Sequence, residues 1–323
     1  MSATQTHPAP APASAPAAAP AASRTLGLTA MTAITPMVWG TTYLVTSQWL
    51  PPDRPLFSGV LRALPAGLIL LAFTRTLPRG SWWWRAAVLG VLNIGAFFAL
   101  LFLAAYRLPG GVAATLGAVQ PLAVAGIALL LLKERPTRWR LGWAIAGAGG
   151  VAAMVLRGDF ALDAVGLAAG LAGPGAMATG VVLTKKWGRP EGVGLLAFTG
   201  WQLSAGGLFL VPLALAFEGA PPALDLSAVG GYLWLGGVGT LLAYALWFRG
   251  VERLPMGALS FLPLLSPAVA TLLGWAALGE SLTPLQLAGF ALAMISIAAA
   301  QLNPRGRRRG SLGKRLNLRG RKS

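Results

Sequence analysis

The sequence predicts an all-α membrane protein of ten transmembrane helices, arranged as two inverted five-helix repeats with both termini in the cytoplasm. Three observations predict it. The chain is 55% hydrophobic and only 11% charged, whereas a soluble domain is roughly 25% charged. A globule of this composition lacks the polar residues to cover itself, and a bilayer is its natural solvent. Apolar stretches follow one another, each near the roughly 20 residues that a helix needs to cross about 30 Å of hydrocarbon. Finally, the second half of the chain repeats the first.

Composition also excludes chemistry. There is no cysteine, and the one histidine is His7, in a tail. Disulfides and thiolate metal sites are excluded, and no metal site or cofactor is expected. With so little His and no paired carboxylates inside the apolar stretches, hydrolytic catalysis has almost nothing to work with, so an enzyme is not expected. The formal charge of +17 does not predict nucleic-acid binding, because it lies in short loops and a terminal tail rather than on a folded face.

In chain order, residues 1–27 form a tail rich in Ala, Pro, Ser and Thr, with too few large apolar groups to offset the entropy of ordering. It lacks a basic start followed by an apolar core, so it is not a signal peptide. The predicted spans are Leu28 to Trp49, Leu56 to Phe73, Arg85 to Tyr106, Gly110 to Leu132 and Trp139 to Leu156. The second five are Val165 to Thr184, Val193 to Phe217, Leu226 to Phe248, Met256 to Leu278 and Pro284 to Leu302. The sixth has the lowest helix propensity, since it holds Gly170, Gly173, Pro174, Gly175 and Gly180.

Orientation follows from the basic residues. With the N-terminus inside, 22 of the 26 Lys and Arg fall on the cytoplasmic side and only Arg54, Arg107 and Arg157 outside, while Arg62 lies within the second span. Discounting the tail, the ratio is still 13 to 3. The tail, residues 303–323, is strongly basic and is expected to attract anionic lipid at the cytoplasmic face.

The repeat is visible at one ungapped shift of 146 positions. It carries Arg107-Leu108-Pro109 onto Arg253-Leu254-Pro255, Gly111 onto Gly257, Pro121 onto Pro267 and Glu134 onto Glu280. Matched prolines and charges at a fixed shift mark an internal duplication. Residues 28–156 form the first repeat and 165–302 the second. Each holds an odd number of spans, so the second enters the bilayer upside down. Glu134 sits between Lys133 and Arg135, whereas Glu280 has no basic neighbour, as opposite faces require. Inverted repeats of this kind are the architecture of secondary transporters.

The chain resembles the drug/metabolite transporter superfamily, in particular its EamA-type ten-helix members, over essentially everything between the two tails. The resemblance rests on Trp39-Gly40-Thr41, on Arg62 early in the second span, and on Pro121 followed by Glu134-Arg135. The second half supplies Gly239-Thr240 through Tyr244, then Pro267 and Gly279-Glu280. It implies a multi-pass inner-membrane carrier that moves small metabolites such as amino acids, usually outward, by alternating access through a central cavity. The rival is a membrane-embedded enzyme or lipid-handling scaffold without vectorial transport. The lack of intramembrane His, Asp or Glu clusters counts against the enzyme, and the inverted repeat against the scaffold. Oligomeric state is not legible.

Arg62 is the one charge well inside a span. A guanidinium in hydrocarbon costs several kcal/mol, so it needs protein or water around it. It is either an anion-binding group in the cavity or an arginine that snorkels to the nearby surface. Pro121 and Pro267 each remove a mid-helix hydrogen bond, which serves a hinge or accommodates packing. Gln120, Ser260 and Ser266 beside them can hydrogen-bond in the cavity. Trp39, Phe97, Trp201 and Tyr244 lie away from span ends and either line a pocket or pack. Thr41, Thr42, Asn93, Thr179 and Gln202 are polar groups in apolar surroundings, which line the cavity or tie helices together. Glu134 and Glu280 close their helices at opposite faces as gate contacts or interfacial pairs.

Overall fold

The computed structural model of the protein describes residues 19–134, 136–156, 163–254 and 262–301. Among them there is no strand. Ser260, the first residues of the chain and the basic tail lie outside the described residues. The helices are α1 (Ala19–Gly40), α2 (Thr42–Trp49), α3 (Pro55–Thr74), α4 (Trp82–Gly90), α5 (Phe97–Arg107), α6 (Gly110–Leu116) and α7 (Gln120–Leu132). There follow α8 (Arg138–Leu156), α9 (Ala164–Trp187), α10 (Leu195–Phe217), α11 (Leu226–Leu233), α12 (Ala243–Arg253), α13 (Leu265–Leu278) and α14 (Pro284–Gln301).

Among the described residues six helical stretches are long and apolar enough to cross a membrane: Pro55–Thr74, Trp82–Arg107, Gly110–Leu132, Ala164–Trp187, Leu195–Phe217 and Leu226–Trp247. Leu262–Leu278 and Pro284–Ala299 are shorter apolar helices. Helix α1 begins at Ala19, inside the stretch that composition leaves unordered. Alanine is the best helix former, so the helix winds on ahead of the apolar run.

Several stretches expected as single helices carry local changes of winding. The first is interrupted at Thr41, whose N–H reaches back to the Val38 carbonyl at 3.1 Å. The helix between α4 and α5 passes through a π-helical segment, Val91–Ala96, and that between α11 and α12 through another, Trp234–Leu242. Tight 3₁₀ turns, Gly117–Val119 and Leu262–Leu264, precede α7 and α13. Pro121 therefore sits in the first turn of α7, where its missing N–H has no intrahelical role. The break falls just before the proline.

Helices α7 and α13 end alike. Lys133 and Gly279 are left-handed, at φ 55° and 66°. The next N–H closes back six residues, Glu134 to the Ala128 carbonyl at 3.3 Å and Glu280 to the Gly274 carbonyl at 3.1 Å. This left-handed closure, one residue wider than a Schellman motif, satisfies a carbonyl that a helix end leaves open.

Packing pairs the helices across the chain. Helix α3 lies along α10, α8 along α14, α5 along α9, and α1 along α12. The α3–α10 crossing is close because its contact residues are small. A Cβ on Gly207 would stand 2.8 Å from the Leu64 backbone nitrogen, and one on Gly67 2.5 Å from the Ser204 nitrogen. Backbones approach here as small residues permit in membrane helices. The largest apolar core joins Phe98, Phe102, Leu203, Tyr232 and Leu235 with Ala63, Ala66 and Leu70.

Candidate functional site

Arg62 lies at the centre of the site. Its side chain is 4% exposed, so it does not run out to the surface. Helix α3 starts at Pro55, which favours the first turn. Its start is held from α10: both carboxylate oxygens of Glu218 accept backbone N–H groups, from Leu56 at 2.6 Å and Phe57 at 2.9 Å. Arg54 donates to the Glu218 carbonyl. A carboxylate at a helix N-terminus is favourable, and this one fixes where Arg62 enters the bundle.

The guanidinium stacks on rings from α5. Its carbon lies 4.6 Å from the centroid of Phe98 and 5.9 Å from that of Phe102. Nη1 donates to the Thr42 hydroxyl at 3.3 Å. Nε is buried and has no acceptor. The two ion pairs among the described residues are Arg107–Asp163 and Lys185–Glu134, so no described carboxylate neutralises Arg62. Tyr43 and Tyr244 stand close enough to feel its charge.

The wall beside it is built around the interruption at Thr41. The Thr41 hydroxyl accepts the Trp234 indole N–H at 2.8 Å and donates to the Val38 carbonyl at 2.7 Å. Trp39 donates its indole N–H to the Gly239 carbonyl at 3.1 Å, inside the second π segment. Its ring meets those of Tyr244 and Trp247 at 5.8 and 5.7 Å. Wide turns present carbonyls that a regular helix hides, and they recur at functional sites. Gly40 admits the neighbouring helix: a Cβ there would lie 2.5 Å from the Ser266 carbonyl oxygen.

A second polar group sits on the first π segment. Asn93 donates to Gln202 at 2.8 Å, and Gln202 to the Phe198 carbonyl at 3.3 Å. Asn93 Oδ1 is buried without a donor and fills the space left by the missing side chain of Gly180. Thr179 beside it bonds its own helix, at the Gly175 carbonyl.

The structure thus brings Trp39, Thr41, Thr42, Arg62 and Tyr244 together, with Ser266 on the adjoining helix, and joins Asn93 to Gln202. Phe97 packs beside Phe98 at 5.8 Å. Gln120 and Pro121 open α7, and Pro267 is buried near the start of α13. Trp201 stands apart. Its ring packs with Phe198 and Trp82, and its N–H reaches the Thr76 carbonyl at 2.7 Å. Glu134 pairs with Lys185 at 2.5 Å, both exposed. Glu280 accepts the Gly110 N–H at 3.2 Å.

Sequence reasoning missed Tyr43, Phe98, Phe102, Trp234 and Glu218. A signal for the phenylalanines was present, because residues four apart share a helix face. The chain has only 4 tyrosines, and buried phenols need partners. Two of them meet at Ser58, whose hydroxyl is 3.1 Å from Tyr106 and 3.0 Å from Tyr232. Among the described residues no cluster of His, Cys, Asp or Glu could hold a metal ion.

Comparison with known proteins decides the family. The sequence model of the EamA-like transporter family matches residues 27–156 and again 164–300. The chain belongs to the EamA-like transporter family. It is 47% identical over 254 residues to protein PecM of Dickeya dadantii, covering 79% of this chain and 85% of PecM. It is 29% identical to the uncharacterized inner membrane transporter YedA of Escherichia coli, covering 82% and 88%. A probable terminal-alkyne amino-acid exporter of Streptantibioticus cattleyicolor is 26% identical, covering 69% and 74%. A solved crystal structure superposes with a TM-score of 0.59 at 20% identity, over 85% of this chain and 97% of that one, which shows a shared fold. The family and the apolar helices make this EamA-like protein a multi-pass inner-membrane protein and a transporter.

Proposed function

We propose that this protein exports small metabolites, amino acids or related compounds, by alternating access through a central cavity between two inverted five-helix halves. In this reading the ten spans run over residues 28–156 and 165–302, with both termini in the cytoplasm. The observation that carries the reading is the placement of the two equivalent glutamates. Glu280 touches Gly110, the first residue of the Gly110–Leu132 span, while Glu134 lies just past its last. The two therefore mark opposite ends of one helix, on the order of 30 Å apart. The shared winding supports it too. The π segments, the 3₁₀ turns and the left-handed helix-end closures recur at or near the 146-residue shift. Pairs of helices related by exchanging the halves pack alike, as α1 on α12 and α5 on α9. Two related halves that swap conformations alternate the access of a site between them.

The cavity in this reading is lined by Trp39, Thr41, Thr42, Arg62 and Tyr244, with Asn93 and Gln202 toward the other half. Pro121 and Pro267, each beside a 3₁₀ turn, are its hinges. The test is a metabolite-uptake screen on purified protein in liposomes. Saturable uptake above that of empty liposomes is the expected result. Binding without uptake of any compound would favour a scaffold. Because no carboxylate sits at mid-span, uptake is expected to persist when the pH gradient is collapsed, and strict dependence on the gradient would refute that part.

A further inference from the structure

Resting on the transporter reading above, we propose that Arg62 docks the carboxylate of the transported metabolite side-on. The substrates are then organic carboxylates whose amino group, where there is one, goes unread. The argument starts from an incomplete charge. A guanidinium 96% removed from solvent needs a counter-charge or a full set of acceptors. Here the described residues supply two aromatic faces and one hydroxyl. The aromatic faces cover the plane of the group, where cation–π attraction acts. They leave its edges for hydrogen bonding. Thr42 takes the Nη1 edge, and Nε is left without an acceptor. The Nε–Nη2 edge is the one a carboxylate takes with two parallel hydrogen bonds.

The complementary group for an ammonium is missing. No described carboxylate pairs with Arg62, and the near neighbours are Tyr43, Tyr244, Phe98 and Phe102. Such a site distinguishes an acid from its amide or amine, and it offers an α-amino group no partner, so that group must keep its own hydration in the cavity.

Matched compounds test this in proteoliposomes containing the full chain. Phenylalanine, 3-phenylpropanoate, phenethylamine and 3-phenylpropanamide form one set, and the corresponding compounds with an isobutyl side chain a second. The amino acid and the des-amino acid are expected to be taken up, and the amine and amide to fall at least about tenfold lower. Arg62→Gln is expected to bring carboxylate uptake down to that level, with Arg62→Lys in between, since lysine keeps the charge without the planar fork. Uptake of amine or amide equal to that of the acid, or unchanged uptake by folded Arg62→Gln, overturns the proposal and leaves the transporter reading standing. No uptake of any compound in a wide metabolite screen removes both. The compound panel decides on the unmodified protein even where Arg62→Gln fails to fold. Chloride is the other anion that could sit on the free edge. Carboxylate uptake that survives chloride-free sulfate buffer supports the proposal, and uptake that needs chloride but ignores the carboxylate overturns it.

Discussion

The Glu280 carboxylate accepts the backbone N–H of Gly110 at 3.2 Å, and it lies against Gly274, where the missing Cβ makes room for it. A residue at the end of α13 thus ties down the start of α6, well over a hundred residues earlier in the chain. The left-handed closure at Gly279 aims the side chain there, because it turns the backbone at Glu280 back toward Gly274. We propose that this contact holds one end of the cavity shut during transport.

Glu280→Ala is expected to cost about 1.5–3 kcal/mol in unfolding, the range of a hydrogen bond to a charged group. Amide exchange at Gly110 and Gly111 should accelerate with it. Glu280→Gln keeps an acceptor oxygen and should retain most of the protection. Gly274→Ala should reproduce the loss without touching the acid, since a Cβ there occupies the place of the carboxylate. Unchanged exchange at Gly110 in both Glu280→Ala and Gly274→Ala would show that the contact restrains nothing.

Trp201→Phe separates packing from ligand contact. The indole closes the aromatic group of Trp82 and Phe198 and holds the Thr76 carbonyl at 2.7 Å, on a different part of the bundle from Arg62. Phenylalanine keeps much of the ring contact and deletes the donor. A loss of about 0.5–1.5 kcal/mol in stability is expected, with the KM for a transported compound unchanged. A severalfold rise in KM would return Trp201 to the cavity.

The sequence made the all-helical, apolar character legible, and the Pro and Glu positions located the 3₁₀ turns and the ends of α7 and α13 to within a few residues. It did not show how the backbone bends there. Gly40-Thr41 lies in an unbroken apolar run, and its interruption depends on the approach of Val269 and the Ser266 carbonyl from far along the chain. The π segments have no compositional mark, since Val91–Ala96 reads like any small-residue helix turn. Arg62 stood out as a lone charge in a span. Its aromatic neighbours did not, because Phe98 and Phe102 meet it only when α5 packs on α3. Trp201 shows the same limit. Distance from a span end gives depth, and only packing tells which wall a ring belongs to.

Asp163 should impose a pH dependence on the entry to α9. Its Oδ1 accepts the backbone N–H groups of Gly166 and Val165, and its Oδ2 takes Arg107 at 2.6 Å. These bonds, that from Gly166 foremost, hold the carboxyl below the usual aspartate range. A depressed carboxyl stabilises the fold fully above its unfolded pKa, about 3.9, and that contribution is lost as pH falls through the lower folded value. Amide exchange at Val165 and Gly166 is expected to be flat from neutral pH down to about 5 after correction for intrinsic rates, and to rise relative to Asp163→Asn below about 4. Asparagine remains a good N-cap but cannot titrate, so a wild-type profile parallel to that of Asp163→Asn would contradict the assignment.

Two thiols test the proposed opposed orientation of the halves. The chain has no cysteine, so a single introduced one is the only target for a maleimide. Thr137 follows Glu134, and Ser281 follows Glu280 at the equivalent helix end, and both are exposed. Lys133, Arg135, Arg138 and Arg140 surround Thr137, and basic loops stay in the cytoplasm. Ser281 has no basic neighbour, and Glu280 beside it touches the far end of the span that Glu134 closes. In intact cells with a permeable outer envelope, an impermeant maleimide is expected to label Ser281→Cys and to spare Thr137→Cys until the membrane is lysed. Labelling of both without lysis would place the two helix ends on one face. An inverted repeat cannot produce that arrangement, and the cavity between opposed halves would lose its basis.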